Sequence, residues 1–164
     1  KGPAAVRYPR GYSLGLSLDS DQNRLEIGKA KIIREGISIA YLVFGTLLQN
    51  VIKVAGDLNA TVVDMRFVKP LDQEMLNHIC SSHDLIITVE ENSVLGGAGS
   101  AVNEYILSKN LPNHVHNIGV PDHTISHGSQ DELLSELGLD EDGILKTSLE
   151  LRKNISKLKK IHHK

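Results

Sequence analysis

The sequence predicts an α/β fold built on a mostly parallel, mixed sheet, and three observations predict it. Short β-rich runs alternate with stretches of helical period along most of the chain, the order that generates βαβ units. One run, "ISIAYLVFG" at 37–45, is apolar on both faces, as a strand covered by helices on both sides must be. Turn formers, among them Pro70, the Gly96–Gly97 pair and Gly138, punctuate the joins.

The bulk properties suit this. The chain has 164 residues, 40% hydrophobic and 23% charged, enough for one domain with a real core. A net charge of −2 argues against a general nucleic-acid surface and a polybasic membrane anchor. No apolar run approaches the roughly 20 residues of a membrane span. The single cysteine, Cys80, excludes an internal disulfide and suits a reducing compartment. Aromatic residues make up 4%, with no Trp, so base recognition by stacking is not expected.

The elements follow in order. "KGPAAVRYPRGYS" opens with the apolar Ala4-Ala5-Val6 and places Arg7 and Arg10 around a Tyr-Pro pair. It reads as a strand leaving a sheet and presenting a cationic tip. Residues 13–28 are polar and turn-rich and read as a linker. "KAKIIR" predicts a strand within 29–36, joined through Glu35-Gly36 to the apolar strand at 37–44; so tight a turn predicts that these two pair antiparallel. Thr46 offers an N-cap to a helix carrying Leu47, Val51, Val54, Ala55 and Leu58 at helical spacing. "ATVVDM" at 60–65 is the next strand. After Pro70, Asp72 can cap a helix with Met75, Leu76, Ile79 and Cys80 inward. "DLIITVEE" at 84–91 is a strand. "GGAGS" then turns into a helix bearing Ala101, Val102, Tyr105 and Ile106, and "HVHNIGV" at 114–120 is the last strand. Ser129 with Glu132 forms a capping-box pattern, Leu133, Leu134 and Leu137 face in, and Gly138 stops that helix. Asp140 starts a final helix with Leu145, Leu149, Ile155 and Leu158.

Several strings could carry chemistry. Gly96, Gly97 and Gly99 at a strand-to-helix turn could let backbone N–H groups approach an anion, but they form neither G-x-G-x-x-G nor a P-loop. The favoured reading is a tight turn packed against another chain or domain. Glu90 and Glu91 resemble an acid/base pair, yet neighbours on a strand point to opposite faces. One can face a partner surface while the other is solvated or caps. "DMRFVKPLD" sets Asp64, Arg66 and Lys69 at a strand's C-terminal end, where open α/β sheets bind ligands. A domain interface and a loop with mutual ion pairs weigh equally there, ahead of a ligand. None of the eight histidines pairs with Cys80 at zinc spacing, and no metal site is expected. Cys80 reads as a small core residue, and the lysines of "KNISKLKKIHHK" as complements to a helix C-terminus.

Taken together, "GPAAVRYPRG", "DMRFVKPLD", "TVEENSVLGGAGSAVNE" and "HGSQDELLSELGLDEDGI" resemble, in order and interval, the C-terminal part of the 1-deoxy-D-xylulose-5-phosphate synthase family. The likeness runs from about residue 2 to about 146. It implies a transketolase C-terminal domain at 29–157, a three-layer sandwich with a five-stranded, mostly parallel sheet. It also implies that 1–12 is the last strand of a preceding pyrimidine-binding domain, that 13–28 is a linker, and that 158–164 is a basic tail. Family members condense pyruvate with glyceraldehyde 3-phosphate, losing CO₂, on thiamine diphosphate and Mg²⁺. The resemblance implies a homodimer in the bacterial cytoplasm or a plastid, with no nucleic-acid or membrane partner. It assigns the aldehyde's phosphate to Arg10, with Arg7 second, and makes Arg66, Glu90, Glu91, Gly96, Gly97 and Gly99 candidates for interdomain or subunit contact. No catalytic, cofactor or metal residue is expected within this stretch, so by itself it is expected to be inactive. The alternatives are a stand-alone binding module of the same fold and a β-subunit piece of another thiamine diphosphate enzyme.

Overall fold

A computed structural model describes residues 2–6 and 24–162, with side chains as far as Ile155. Residues 2–6 are exposed and carry no regular structure. The body contains β1 (Lys31–Arg34), β2 (Ala40–Phe44), α1 (Leu48–Leu58), β3 (Thr61–Asp64), α2 (Gln73–Ser82), β4 (Leu85–Ser93), α3 (Ala98–Ser108), β5 (His114–Val120), α4 (Gln130–Glu136) and α5 (Glu141–His162). The five strands form one sheet in the order β1-β3-β2-β4-β5, parallel except for β1. Helix α5 runs on through His162, so the basic run from 158 begins inside it.

The sheet order follows from burial. β2 is buried at every position and takes the centre, with β3 and β4 as parallel neighbours. Alternation then divides its side chains between two cores. Tyr41 and Val43 join Val62, Ile87 and Val89 under α1 and α5, where Val51, Val54, Leu58 and Ile144 are buried. Ala40, Leu42 and Phe44 join Val63 and Ile86 under α2 and α3, where Leu76, Ile79 and Val102 are buried. The result is the expected three-layer sandwich, and burying each such Val, Leu or Ile contributes about 1.5–3 kcal/mol.

One pairing differs from the sequence reading. β1 is antiparallel, but its partner is β3 (Lys31 opposite Asp64) and not β2. The 35–39 connection passes the start of β3 instead of closing a hairpin. Gly36 N–H donates to Thr61 Oγ1 at 2.9 Å, and Ile37 N–H donates to Asn59 O at 2.9 Å. A Cβ on Gly36 would lie 2.4 Å from the Ala60 backbone, so only glycine lets the chain hug that strand. Burial explains the order: the all-apolar β2 gains more from two covered neighbours than from the sheet edge.

The helix starts are mixed. Asp72 accepts from Met75 N–H at 3.0 Å and from Ala30 N–H at 2.8 Å, capping α2 and fastening the entry to β1. Ser129 and Glu132 form a complete capping box. Thr46 does not cap α1, whose N-cap is Leu47 without a side-chain bond; its hydroxyl donates to the Glu91 carboxylate instead.

Candidate functional site

All four parallel strands end at one edge of the sheet, the place where open α/β sheets hold ligands. Gly45 and Thr46 follow β2, and Asp64 and Arg66 close β3. Glu90 to Ser93 close β4, and Pro121 to Thr124 follow β5. The sequence therefore brings "DMRFVKPLD" (64–72) and "VEENSVLGGAGS" (89–100) to the same rim, although a whole helix, α2, separates them.

Glu90 and Glu91 take opposite sides there. Glu90 is 2% exposed. Its carboxylate accepts from Ala98 N–H at 2.8 Å and from Gly99 N–H at 2.7 Å, the first amides of α3. Such amides carry the positive end of the helix dipole and have no intrahelical partner. Glu90 therefore occupies, from within the chain, the place an anionic ligand would take. Gly97 is required by the same packing, because a Cβ there would fall 2.5 Å from Glu90 Oε2 and 2.2 Å from Ser93 O. Gly99 backs onto Asn117 Nδ2 and Thr88 Oγ1. Gly96, at φ +74°, opens to free space, beside Leu95, which is 67% exposed. The turn is thus packed on its own sheet through Gly97 and Gly99, while its tip faces outward.

Arg66 sits at φ +58° with its Nε 3.5 Å from Asp64 Oδ2, and its backbone N–H donates to Asp64 Oδ1. The two groups thus pair within their own loop. A cavity of about 480 Å³ lies between the ends of β4 and β5, lined by Glu91, Asn92, Ser93, Val120, Pro121, Asp122, His123 and Thr124. Ser93 Oγ is buried there without a hydrogen-bond partner. Among the described residues, no three His, Cys, Asp or Glu side chains come together as metal ligands. Cys80 is half-buried on α2, and burial pushes its thiol pKa up, away from the thiolate a nucleophile needs. Arg7 and Arg10 lie outside the described residues.

The sequence reading gives no role to His83. It is 7% exposed, with Nε2 2.8 Å from Thr61 Oγ1 and Nδ1 2.9 Å from Ser82 Oγ. Asn113 Nδ2 donates to its backbone carbonyl at 2.6 Å. The imidazole joins α2 to the start of β3 on the side away from the rim. Its signal in the sequence, a histidine just after a helix, is too common to interpret.

The pattern of the family described as "Transketolase, C-terminal domain" matches residues 28–144. The chain belongs to that family. It is 54% identical over 144 residues to a 1-deoxy-D-xylulose-5-phosphate synthase of Psychromonas ingrahamii, covering 88% of this chain and 23% of that protein. Against the synthase of Pseudoalteromonas translucida it is 50% identical over 143 residues, covering 87% and 23%. The chain thus spans less than a quarter of the curated relatives it matches. A solved structure of a split-gene transketolase, described as an inactive β4 tetramer, superposes with a TM-score of 0.74. That comparison shows 29% identity and covers 82% of this chain and 46% of the other.

The transketolase C-terminal fold raises the question of thiamine diphosphate and its metal. The described residues do not fit them. The α3 N-terminus, the glycine-rich helix start of this rim, spends its amides on Glu90, and the carboxylates form no ligand cluster. No chemical step is assigned to this domain.

Proposed function

We propose that this chain is the C-terminal domain of a 1-deoxy-D-xylulose-5-phosphate synthase, preceded by the end of a pyrimidine-binding domain and a linker. The observation that carries the reading is the 54% identity over 144 residues to a protein of that name. On this reading, the full protein joins pyruvate to glyceraldehyde 3-phosphate with loss of CO₂, in a homodimer in the bacterial cytoplasm or a plastid. Thiamine diphosphate and Mg²⁺ are held by the upstream domains. The domain supplies a rigid rim against which those domains or the second subunit pack, through Arg66, Glu91 and the Gly96 tip. Arg10 holds the aldehyde's phosphate, since a planar guanidinium forms paired, charge-assisted bonds with it.

A chimera tests this. Residues 1–146 replace the matching part of the Psychromonas enzyme, and kinetics are measured with each substrate varied in turn. The expected result is turnover in the parent chimera. Arg10→Ala should then lose about ten- to a hundredfold in kcat/KM for the aldehyde phosphate and far less for pyruvate, as loss of one charged hydrogen-bond partner implies. Arg10→Lys should recover part of it. A folded chimera without product overturns the family reading. Turnover with equal losses for both substrates, or a larger aldehyde-specific loss in Arg7→Ala, overturns only the Arg10 assignment.

A further inference from the structure

Apolar surface is unevenly spread over the domain. Nine large apolar side chains are exposed among the described residues, and four of them, Leu25, Ile27, Ile33 and Ile37, fall between positions 25 and 37. This stretch contains β1, an edge of the sheet whose one strand neighbour is β3. The backbone N–H and C=O groups along its other side therefore point away from the sheet. Exposure alternates along the strand and its exit: Lys31, Ile33, Glu35 and Ile37 are exposed, while Ile32 and Arg34 are half-buried.

The charges of this edge divide into two kinds. Lys29 is paired with Glu74, and the Arg34 guanidinium donates to the backbone carbonyls of Glu35 and Ala60. Asp64, opposite Lys31 on β3, is bonded to Arg66. Lys31 and Glu35, by contrast, have no ion-pair partner among the described residues. They stand two positions either side of Ile33, and that spacing is self-complementary. When two copies of β1 meet antiparallel about a two-fold axis at Ile33, Ile33 opposes Ile33 and each Lys31 opposes the Glu35 of the other copy. Centring the axis on Ile32 sets Lys31 against Ile33. Centring it on Arg34 sets Ile33 against Glu35 and the two arginines against each other.

We propose that the free edge of β1 pairs with the same edge of a second copy of this chain, joining two five-stranded sheets into one across a two-fold axis at Ile33. Symmetry selects this partner, because a two-fold interface uses one patch twice and this patch carries its own counter-charge. β1 is short, bulged between Ile32 and Arg34, and marked by Lys31, features that discourage indiscriminate strand addition. A partner has to bring a carboxylate to Lys31 and an apolar side chain to Ile33, and a second copy brings both. The contact runs along the lateral edge of the sheet and leaves the rim free. It goes beyond the proposed catalytic role and does not depend on it. An edge this short belongs to the weak, transient class of interface.

Sedimentation equilibrium of the 164-residue chain tests it, from micromolar concentration to the highest attainable. The chain should dimerise reversibly. Lys31→Glu and Glu35→Lys should each weaken the dimer at least about tenfold, since either one sets like charges opposite each other twice. Mixing those two variants should restore association to within about threefold of the parent, because the mixed pair again opposes unlike charges at both positions. Lys109→Glu, on the exposed end of α3, should dimerise as the parent does. Circular dichroism melts confirm that the variants are folded. A chain that stays monomeric throughout, a dimer indifferent to both charge reversals, an equal loss in Lys109→Glu, or single variants that fail to associate on mixing would each overturn the proposal.

Discussion

Replacing Glu90 measures how much the rim depends on a charge held inside the fold. Its carboxylate is buried and accepts from two amides that have no other partner, at 2.8 and 2.7 Å. Glu90→Ala leaves both N–H groups without an acceptor and opens a cavity. Each orphaned donor costs about 1–3 kcal/mol, so the variant should lose about 4 kcal/mol. Glu90→Gln keeps one acceptor and turns an amide nitrogen toward the second N–H, and should lose about 2 kcal/mol. Glu91→Gln changes an exposed group bonded to Thr46, where the expected loss is below about 0.5 kcal/mol. In urea, with a slope of about 2 kcal/mol/M for a chain of this size, the midpoint should fall by about 2 M for Glu90→Ala and about 1 M for Glu90→Gln. Glu91→Gln should barely move it. If Glu90→Gln unfolds with the parent, or if Glu91→Gln proves the more damaging, then Glu90 does not secure the α3 N-terminus and the reasoning fails.

Two glycines in helices should respond oppositely to alanine. At Gly99 a Cβ would lie 1.9 Å from Asn117 Nδ2 and 2.5 Å from Thr88 Oγ1, so overpacking of about 1–3 kcal/mol should prevail; at Gly56 nothing lies within 4 Å, and alanine should stabilise by about 0.5–1 kcal/mol, both read from thermal melts. His116 is half-buried in the edge strand β5, and burial holds its pKa below the ordinary 6.5. The unfolded chain then binds the proton that the folded chain refuses, so stability should fall as pH drops below about 7 and level off beneath the folded pKa. His116→Gln should flatten that slope in denaturant titrations between pH 5 and 7; an unchanged slope would show that other groups set it.

The sequence was most legible where a signal is both local and chemically complete. Ser129 and Glu132 carry their capping box within four residues, and "HVHNIGV" matches β5 residue for residue. Thr46 has the same local credentials as an N-cap, but its hydroxyl goes to Glu91, 45 positions away. The β1–β2 turn is a similar case. A two-residue join with glycine fits a hairpin, and nothing nearby reveals that Gly36 sits against Ala60 so that β3 can enter between the strands. Leu139 lies one residue past the stop at Gly138, where periodicity has ended, yet it is 1% exposed. These misses share a cause. The deciding contact is made by an element distant in sequence, and local propensity carries no record of it.

The same reasoning bears on where an anion can be held. Read alone, "GGAGS" before a helix offers backbone donors to a phosphate, and only its spacing argues otherwise. The structure supplies the physical reason: the donors of Ala98 and Gly99 are taken by a carboxylate from the preceding strand, eight and nine residues upstream. Arg66, in the loop that follows β3 on the same rim, is turned toward Asp64. The described rim has thus answered its own strongest donors, with Glu90 on the helix and Asp64 on the guanidinium. A phosphate brought to this edge meets two satisfied groups and the exposed carboxylate of Glu91. Exposed Lys69 is a further cation on the same loop, and any more positive charge has to come from outside the described rim. The stretch around Arg7 and Arg10 has that composition. The family resemblance is what assigns the proposed phosphate contact to Arg10 in that stretch, and the satisfied donors of the rim are compatible with it.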